Sequence, residues 1–306
     1  MTAQKQQWVK WTLFVALCVI WGSSFILMKE GMKALSAYQV AAIRILSAGL
    51  VLLPVVIKNL RAIPINKIVL ILVSGLLGSF FPAFLFCIAE THIDSSLAGF
   101  LNALTPILTI FIGMLFYQVP LEKKRLPGVL IGFAGMLLIF LATGSRGVKE
   151  VWYAALVLIA TISYAVNVNM VGRYLKKVGS INIAAFAFVM LIIPSMVVLI
   201  FTGFFNLHFG NKLLIYSTLA SVVLGVMGTA VASILFYILL RRAGQLFSSM
   251  VTYGIPFVGL FWGFLAGETV MALQIVGLGV IFIGVFLTSK PVNGKLVKPD
   301  NMLTKA

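Results

Sequence analysis

Polar side chains recur at helical spacing inside runs that are otherwise apolar, and these are the groups of the chain best suited to hold a small molecule. In WGSSF, Trp21, Ser24 and Phe25 fall at i, i+3 and i+4 and share one helix face. That face offers a pocket aromatic area and one hydroxyl; alternatively, Gly22 and the serines let two helices approach. Tyr164 and Asn167 lie one turn apart in a second run, which also holds Asn169. Amides in an apolar run are costly without partners, so these point into a bundle or a wet cavity, or serve as glue between helices. Two further runs share a proline near their middle. Ser95–Phe116 reads SSLAGFLNALTPILTIFIGMLF, and QLFSSMVTYGIPFVGLFWGFLAGE returns 150 positions later, matching Pro106 with Pro256. Proline in a helix interior removes the hydrogen bond to the carbonyl of residue i−4. Those carbonyls belong to Asn102 and Thr252, with Tyr253 next and Ser248 and Ser249 upstream. Substrate contact is expected at Asn102 and Thr252, with Pro106 and Pro256 acting as hinges.

Charge adds one candidate at depth. Arg44 is the only basic residue well inside an apolar run. A buried charge marks function by default and pairs with a carboxylate; the alternative is a long side chain reaching back to the interface. Glu268 ends the second proline run as a gate partner or a solvated loop residue. Glu90, His92 and Asp94 cluster in another loop, open to the same two readings. Catalysis has no comparable support. There is no P-loop, no HExxH spacing and no Ser/His/Asp or Cys/His set at neighbouring run ends, and Cys18 and Cys87 are each embedded in apolar sequence. No enzyme activity, cofactor or metal site is expected.

The elements that must position these groups follow from composition. The chain has 306 residues, 61% hydrophobic and only 10% charged, where globular chains carry about 25% charged residues. Apolar runs of about 20 residues are transmembrane helices, since barrel strands would alternate over about 10. Ten spans are expected, at about 11–28, 38–57, 66–89, 96–117, 126–141, 151–171, 181–201, 213–239, 246–266 and 270–288. The first has a signal-peptide shape, but no A-x-A-like site follows it and an uncleaved span is expected. Outside the spans, 17 lysines and arginines fall on the side of the termini and 5 on the other. The positive-inside rule therefore puts both termini in the cytoplasm. The same distribution, in short loops rather than on one face, argues against nucleic acid as the partner of a +16 chain.

Ten spans divide five and five. Phe86–Gln118 aligns with Phe236–Glu268 without a gap, with six of 33 positions identical. The last span of each half carries glycines seven apart, Gly128 and Gly135, then Gly277 and Gly284. Five is odd, so the second copy must cross in the opposite sense, as in secondary transporters that alternate access around a midplane site. The expected fold is an all-α membrane protein of ten transmembrane helices, two inverted five-helix repeats around a central cavity. The first repeat is read as residues 1–145, the second as 146–290, and a cytoplasmic tail as 291–306.

The WGSSF stretch, AAIRILSAG around Arg44, the Leu104-Thr105-Pro106 and Gly254-Ile255-Pro256 turns, Glu268 and the ending QIVGLGVIFIGVFL together resemble the drug/metabolite transporter superfamily, EamA type. The resemblance runs over about residues 10–290. It implies export of small metabolites, often amino acids, across the bacterial inner membrane, by a basket of ten helices. Carried over by position, it puts Trp21, Ser24, Asn102, Tyr164, Asn167, Thr252 and Tyr253 on the cavity. Gln118 stands where the matching carboxylate would be in the first half, so Glu268 has no symmetric counterpart. The expected partners are a small-molecule substrate and the lipid bilayer, with a monomer as the working state. Multidrug or nucleotide-sugar transport is the alternative within the superfamily. A membrane-embedded enzyme or receptor is the reading outside it, and it lacks a convergent catalytic set or a soluble signalling portion.

Overall fold

The computed structural model describes residues 3–93, 95–120, 123–142, 151–208, 210–265 and 271–289. All regular structure among them is helical. The first half holds α1 (Ala3–Gly31), α2 (Ala37–Lys58), α3 (Ile65–Gly75), α4 (Phe81–Ala89), α5 (Ser95–Asn102), α6 (Thr105–Tyr117) and α7 (Leu126–Ala142). The second holds α8 (Val151–Tyr174), α9 (Ser180–Met190), α10 (Ile192–Phe201), α11 (Lys212–Gly225), α12 (Ala232–Ser249, broken at Gly244, where φ is 82°), α13 (Val251–Leu265) and α14 (Ala272–Ser289). Seven helical segments are long and apolar enough to cross a bilayer, and three shorter apolar helices join them among the described residues. Each expected span overlaps one of these segments. Their outer faces are oily: Trp152, Ile193 and Phe201 are at least 75% exposed. Such faces suit hydrocarbon rather than water.

Local chemistry sets the helix starts. Ser36 and Gln39 form a reciprocal capping box that opens α2, with Ser36 N–H donating to Gln39 Oε1 at 2.9 Å. The Gln39 amide also donates to Thr202 O at 3.1 Å, tying α2 to the end of α10. The halves interlock: α1 packs on α11, α12 and α13, while α8 packs on α4, α5 and α6. The glycines seven apart meet one another across α7 and α14. A Cβ added to Gly135 would lie 2.7 Å from Gly277 O, and one added to Gly284 would lie 2.6 Å from Gly128 O. An early residue of one helix thus faces a late residue of the other, so α7 and α14 run antiparallel in backbone contact.

Three departures from the sequence expectation bear on the site. The first proline run is two helices, not one kinked helix. It breaks at Ala103–Leu104, and Pro106 takes the first turn of α6, where its missing N–H costs nothing. The second run breaks earlier, at Met250, and Pro256 lies inside α13. The breaks are therefore not at matching depths. In α12 the Ser249 hydroxyl donates to Leu246 O at 2.8 Å, and Thr252 donates to Ser249 O at 3.0 Å. Hydroxyls that bond back to the helix compete with its ladder, which is why the break falls there. Finally, α3 passes into α4 through a π-helical turn, Leu76–Phe80, and α11 into α12 through another, Val226–Val231. These turns stand 150 positions apart, the same offset as the proline runs.

Candidate functional site

A cavity of about 110 Å³, measured to the centres of water-sized molecules, lies between the halves. One ordered water needs about 10–15 Å³ on that measure, so a small metabolite fits. Its lining takes Trp21, Ser24 and Phe25 from α1, Arg44 from α2, Asn102 from α5, Tyr164 and Asn167 from α8, and Thr252 from α13. Six of the seven residues singled out for substrate contact are thereby brought together, with Arg44. Tyr253 is not among them. It is fully buried, with its ring against Gly132 and its hydroxyl donating to Val129 O at 2.9 Å. It lies one residue beyond Thr252, about 100° round the helix, and so turns toward α7. Tyr253→Phe is expected to cost about 1 kcal/mol of stability for the lost bond and to leave substrate affinity unchanged. A rise in KM beyond threefold would return Tyr253 to the cavity. Glu268 lies outside the described residues.

The two π turns shape the walls in the same way. Gly228 leaves room for Ser24, whose Oγ would be 2.6 Å from a Cβ there, and Gly228 O accepts from the Trp21 indole at 3.1 Å. Gly78 leaves room for Asn167, whose Nδ2 would be 2.3 Å from a Cβ. Tyr164 and Asn167 follow Trp21 and Ser24 by 143 positions, as Gly228 follows Gly78 by 150. The rings repeat the pattern: Trp21 packs on Phe236 at 5.4 Å between centroids, and Tyr164 stacks on Phe86 at 6.2 Å. A π turn shifts the backbone ladder from i+4 to i+5, and such turns recur at functional sites. Sequence reasoning missed Phe86, Phe236 and both turns as parts of the site. The signal was present: Gly75-x-x-Gly78 and Gly225-x-x-Gly228 extend the 150-residue match upstream.

Arg44 falls outside these paired contacts. The glycine at 225 lets α2 approach closely, since a Cβ there would lie 2.4 Å from Arg44 O and 1.9 Å from Ser47 Oγ. This brings the Arg44 guanidinium to the second π turn, where its Nε donates to Thr229 Oγ1 at 2.6 Å. Thr229 in turn donates to Leu224 O at 3.3 Å, so its lone pairs face the guanidinium. The terminal guanidinium nitrogens have no protein hydrogen-bond partner among the described residues. Arg44 is also the one charged side chain among the described lining residues.

The floor and the proline break complete the geometry. The Ser74 hydroxyl donates to Asn167 Oδ1 at 2.8 Å and lies 3.1 Å from the Tyr237 hydroxyl, all three being buried. Ser74 lies one turn from Gly78 of the lining, toward the end that carries residues 58–67. Asn169, by contrast, staples helices, donating to Thr109 O and to Ala165 O, each at 2.9 Å. The carbonyl of Asn102, expected to be free, accepts from the Thr105 hydroxyl at 2.6 Å. The residue before the proline thus fills the vacancy the proline creates. The Asn102 side chain remains the ligand candidate, and Ser248 adds a buried lining hydroxyl with no partner.

The comparisons with known proteins agree with this architecture. The model of the EamA-like transporter family matches twice, over residues 9–141 and 151–290. The chain is 27% identical over 285 residues to the uncharacterized inner membrane transporter YedA of Escherichia coli (strain K12), covering 90% of this chain and 88% of that protein. It is 26% identical over 279 residues to the S-adenosylmethionine/S-adenosylhomocysteine transporter of Chlamydia trachomatis serovar L2, covering 87% and 84%. One solved crystal structure superimposes with a TM-score of 0.71 at 17% identity, covering 94% of this chain and 97% of that one, which shows a shared fold.

Proposed function

The chain belongs to the EamA-like transporter family and is a multi-pass membrane transporter; from that premise we propose that it moves small zwitterionic metabolites, amino acids or their derivatives, by alternating access. The observation that carries the substrate class is the single guanidinium in a cavity whose described lining holds no carboxylate. A lone cation in a low-dielectric site is stabilised by an anionic group on its ligand, and a guanidinium takes a carboxylate in two parallel hydrogen bonds. The aromatic faces of Trp21, Phe86, Tyr164 and Phe236 suit an ammonium group and an apolar side chain. S-adenosylmethionine, carried by the chlamydial relative, has the same α-amino-acid head. Export across a bacterial inner membrane, with both termini cytoplasmic, is the direction and placement that the family resemblance and the loop charges imply.

The mechanism rests on reading the halves as inverted five-helix repeats, residues 1–145 and 146–290. What supports it is the paired π turns, the paired aromatic contacts and the antiparallel α7–α14 seam. In that reading the Ser74–Asn167–Tyr237 cluster is the shut gate of one state, and its pseudo-symmetric counterpart, where Ser24 meets Gly228, loosens when the gate opens. Pro106 and Pro256 permit the half-helices to swing.

The test is exchange in proteoliposomes, with labelled S-adenosylmethionine and the common amino acids as probes. Exchange of at least one probe is expected; failure of the whole panel would sink the substrate class. Asn102→Ala and Thr252→Ala are each expected to raise KM about 10- to 150-fold, the worth of one hydrogen bond to a charged group. If both leave KM unchanged, the proline breaks act as hinges alone.

A further inference from the structure

Glu90 caps α4 one turn beyond Phe86 of the cavity wall, at the end of the bundle away from the Ser74 cluster. It neither lines the cavity nor joins the Ser74–Asn167–Tyr237 cluster. The residue is 8% exposed. Its Oε2 accepts only a long bond from Ser95 of α5, at 3.4 Å, and its Oε1 has no partner. Lys29 of α1 and Arg44 of α2 act on it electrostatically, yet neither comes within ion-pair distance. Other ionisable groups at this end include Cys87 on its own helix, His92 in its own turn, Tyr153 and Tyr164 of α8, and, beside Lys29, Glu30, which pairs with Lys33. No second carboxylate reaches it among the described residues. An ionised carboxylate with a bare oxygen in an apolar site is costly, and the protonated acid is much less so. Burial pushes the Glu90 carboxyl up to about 8, against the opposing pull of Lys29, Ser95 and Arg44.

We propose that Glu90 is a proton-binding site that couples substrate movement to a proton gradient; this rests on the transporter reading above. The geometry gives the coupling a sign. Ionised Glu90 offsets the positive field of Arg44 and Lys29, whereas neutral Glu90 leaves that field to the substrate carboxylate. Proton and carboxylate therefore bind better together than apart, and by reciprocity each raises the affinity for the other. Both ride in the same direction. An acid exterior then drives uptake, and export requires an outward substrate gradient.

Two measurements on the full-length protein in liposomes decide it. The first is an infrared pH titration of the carboxylic acid band, wild type against Glu90→Gln. A band that titrates near pH 8 and vanishes in the variant is expected. A band titrating in the ordinary carboxylate range, or one indifferent to the substitution, overturns the site. The second uses the probe that the wild type exchanges, under a gradient of one pH unit, acid outside. One proton per substrate corresponds to about tenfold accumulation. Glu90→Gln, locked in the neutral form, is expected to keep exchange and lose accumulation. Wild-type exchange without accumulation, or accumulation retained by the variant, overturns the coupling and leaves the transporter reading standing. Absence of exchange for every probe counts against the transporter reading, while the infrared titration still decides the proton site.

Discussion

Replacing Arg44 by glutamine is expected to lower kcat/KM for a carboxylate-bearing substrate by about 30- to 1000-fold. Charge-assisted hydrogen bonds contribute roughly 1.5–3 kcal/mol, and a charged partner left unpaired in a low-dielectric site costs about 3–5 kcal/mol. The substitution removes the only charge that the described cavity wall presents to the ligand. Arg44→Lys keeps the charge but loses the bond from Nε to Thr229, so an intermediate loss is expected. Thr229→Val tests the orientation alone: the charge stays, the guanidinium is freed to turn, and a loss of about tenfold is expected. Thermal melts in detergent separate these effects from misfolding. If Arg44→Gln transports within threefold of wild type, the carboxylate reading fails.

The second large effect is on stability and falls on the α7–α14 seam. Gly284→Ala would set a Cβ 2.4 Å from the backbone N of Gly132 and 2.6 Å from Gly128 O. Both are main-chain atoms, so no side chain can rotate away and the helices must part. Overpacking of this kind costs about 1–3 kcal/mol, which in a chain of this size lowers the melting temperature by several degrees, at about 2–4 °C per kcal/mol. Gly279→Ala, on the same helix, meets nothing within 4 Å. It should match wild type or gain slightly, because alanine is the better helix former by about 1 kcal/mol. Equal melting temperatures for the two variants would mean that the seam does not hold the halves together.

Much of the site was legible in one dimension because membrane burial makes polar residues expensive. Trp21, Ser24, Arg44, Asn102, Tyr164, Asn167 and Thr252 stood out against apolar neighbours, and they line one cavity. Helical spacing was enough to group those on a single helix. Tyr253 was misread for a reason that spacing cannot reveal. It is polar and adjacent to Thr252, but its direction depends on where α13 begins, and the Ser249 and Thr252 hydroxyls set that start. The Asn102 carbonyl was misread similarly, because Thr105 fills the bond that Pro106 vacates. Which residue satisfies a freed carbonyl is a matter of local geometry, not of type.

The solvent, the helices and the duplication are each written in composition and periodicity along the chain. Hydrocarbon demands apolar runs whose backbone bonds close internally, and a repeated run carries its offset with it. Which copies meet follows from packing in three dimensions. Tyr164 lies on Phe86, Trp21 on Phe236, and Arg44 beside Thr229, all across the two halves. These pairings go with close approach at Gly78 to Asn167, at Gly228 to Ser24 and at Gly225 to Arg44 O, and with ladder shifts in two π turns. Contacts of that kind come from three-dimensional packing of helices distant in sequence, where no period along the chain can register them.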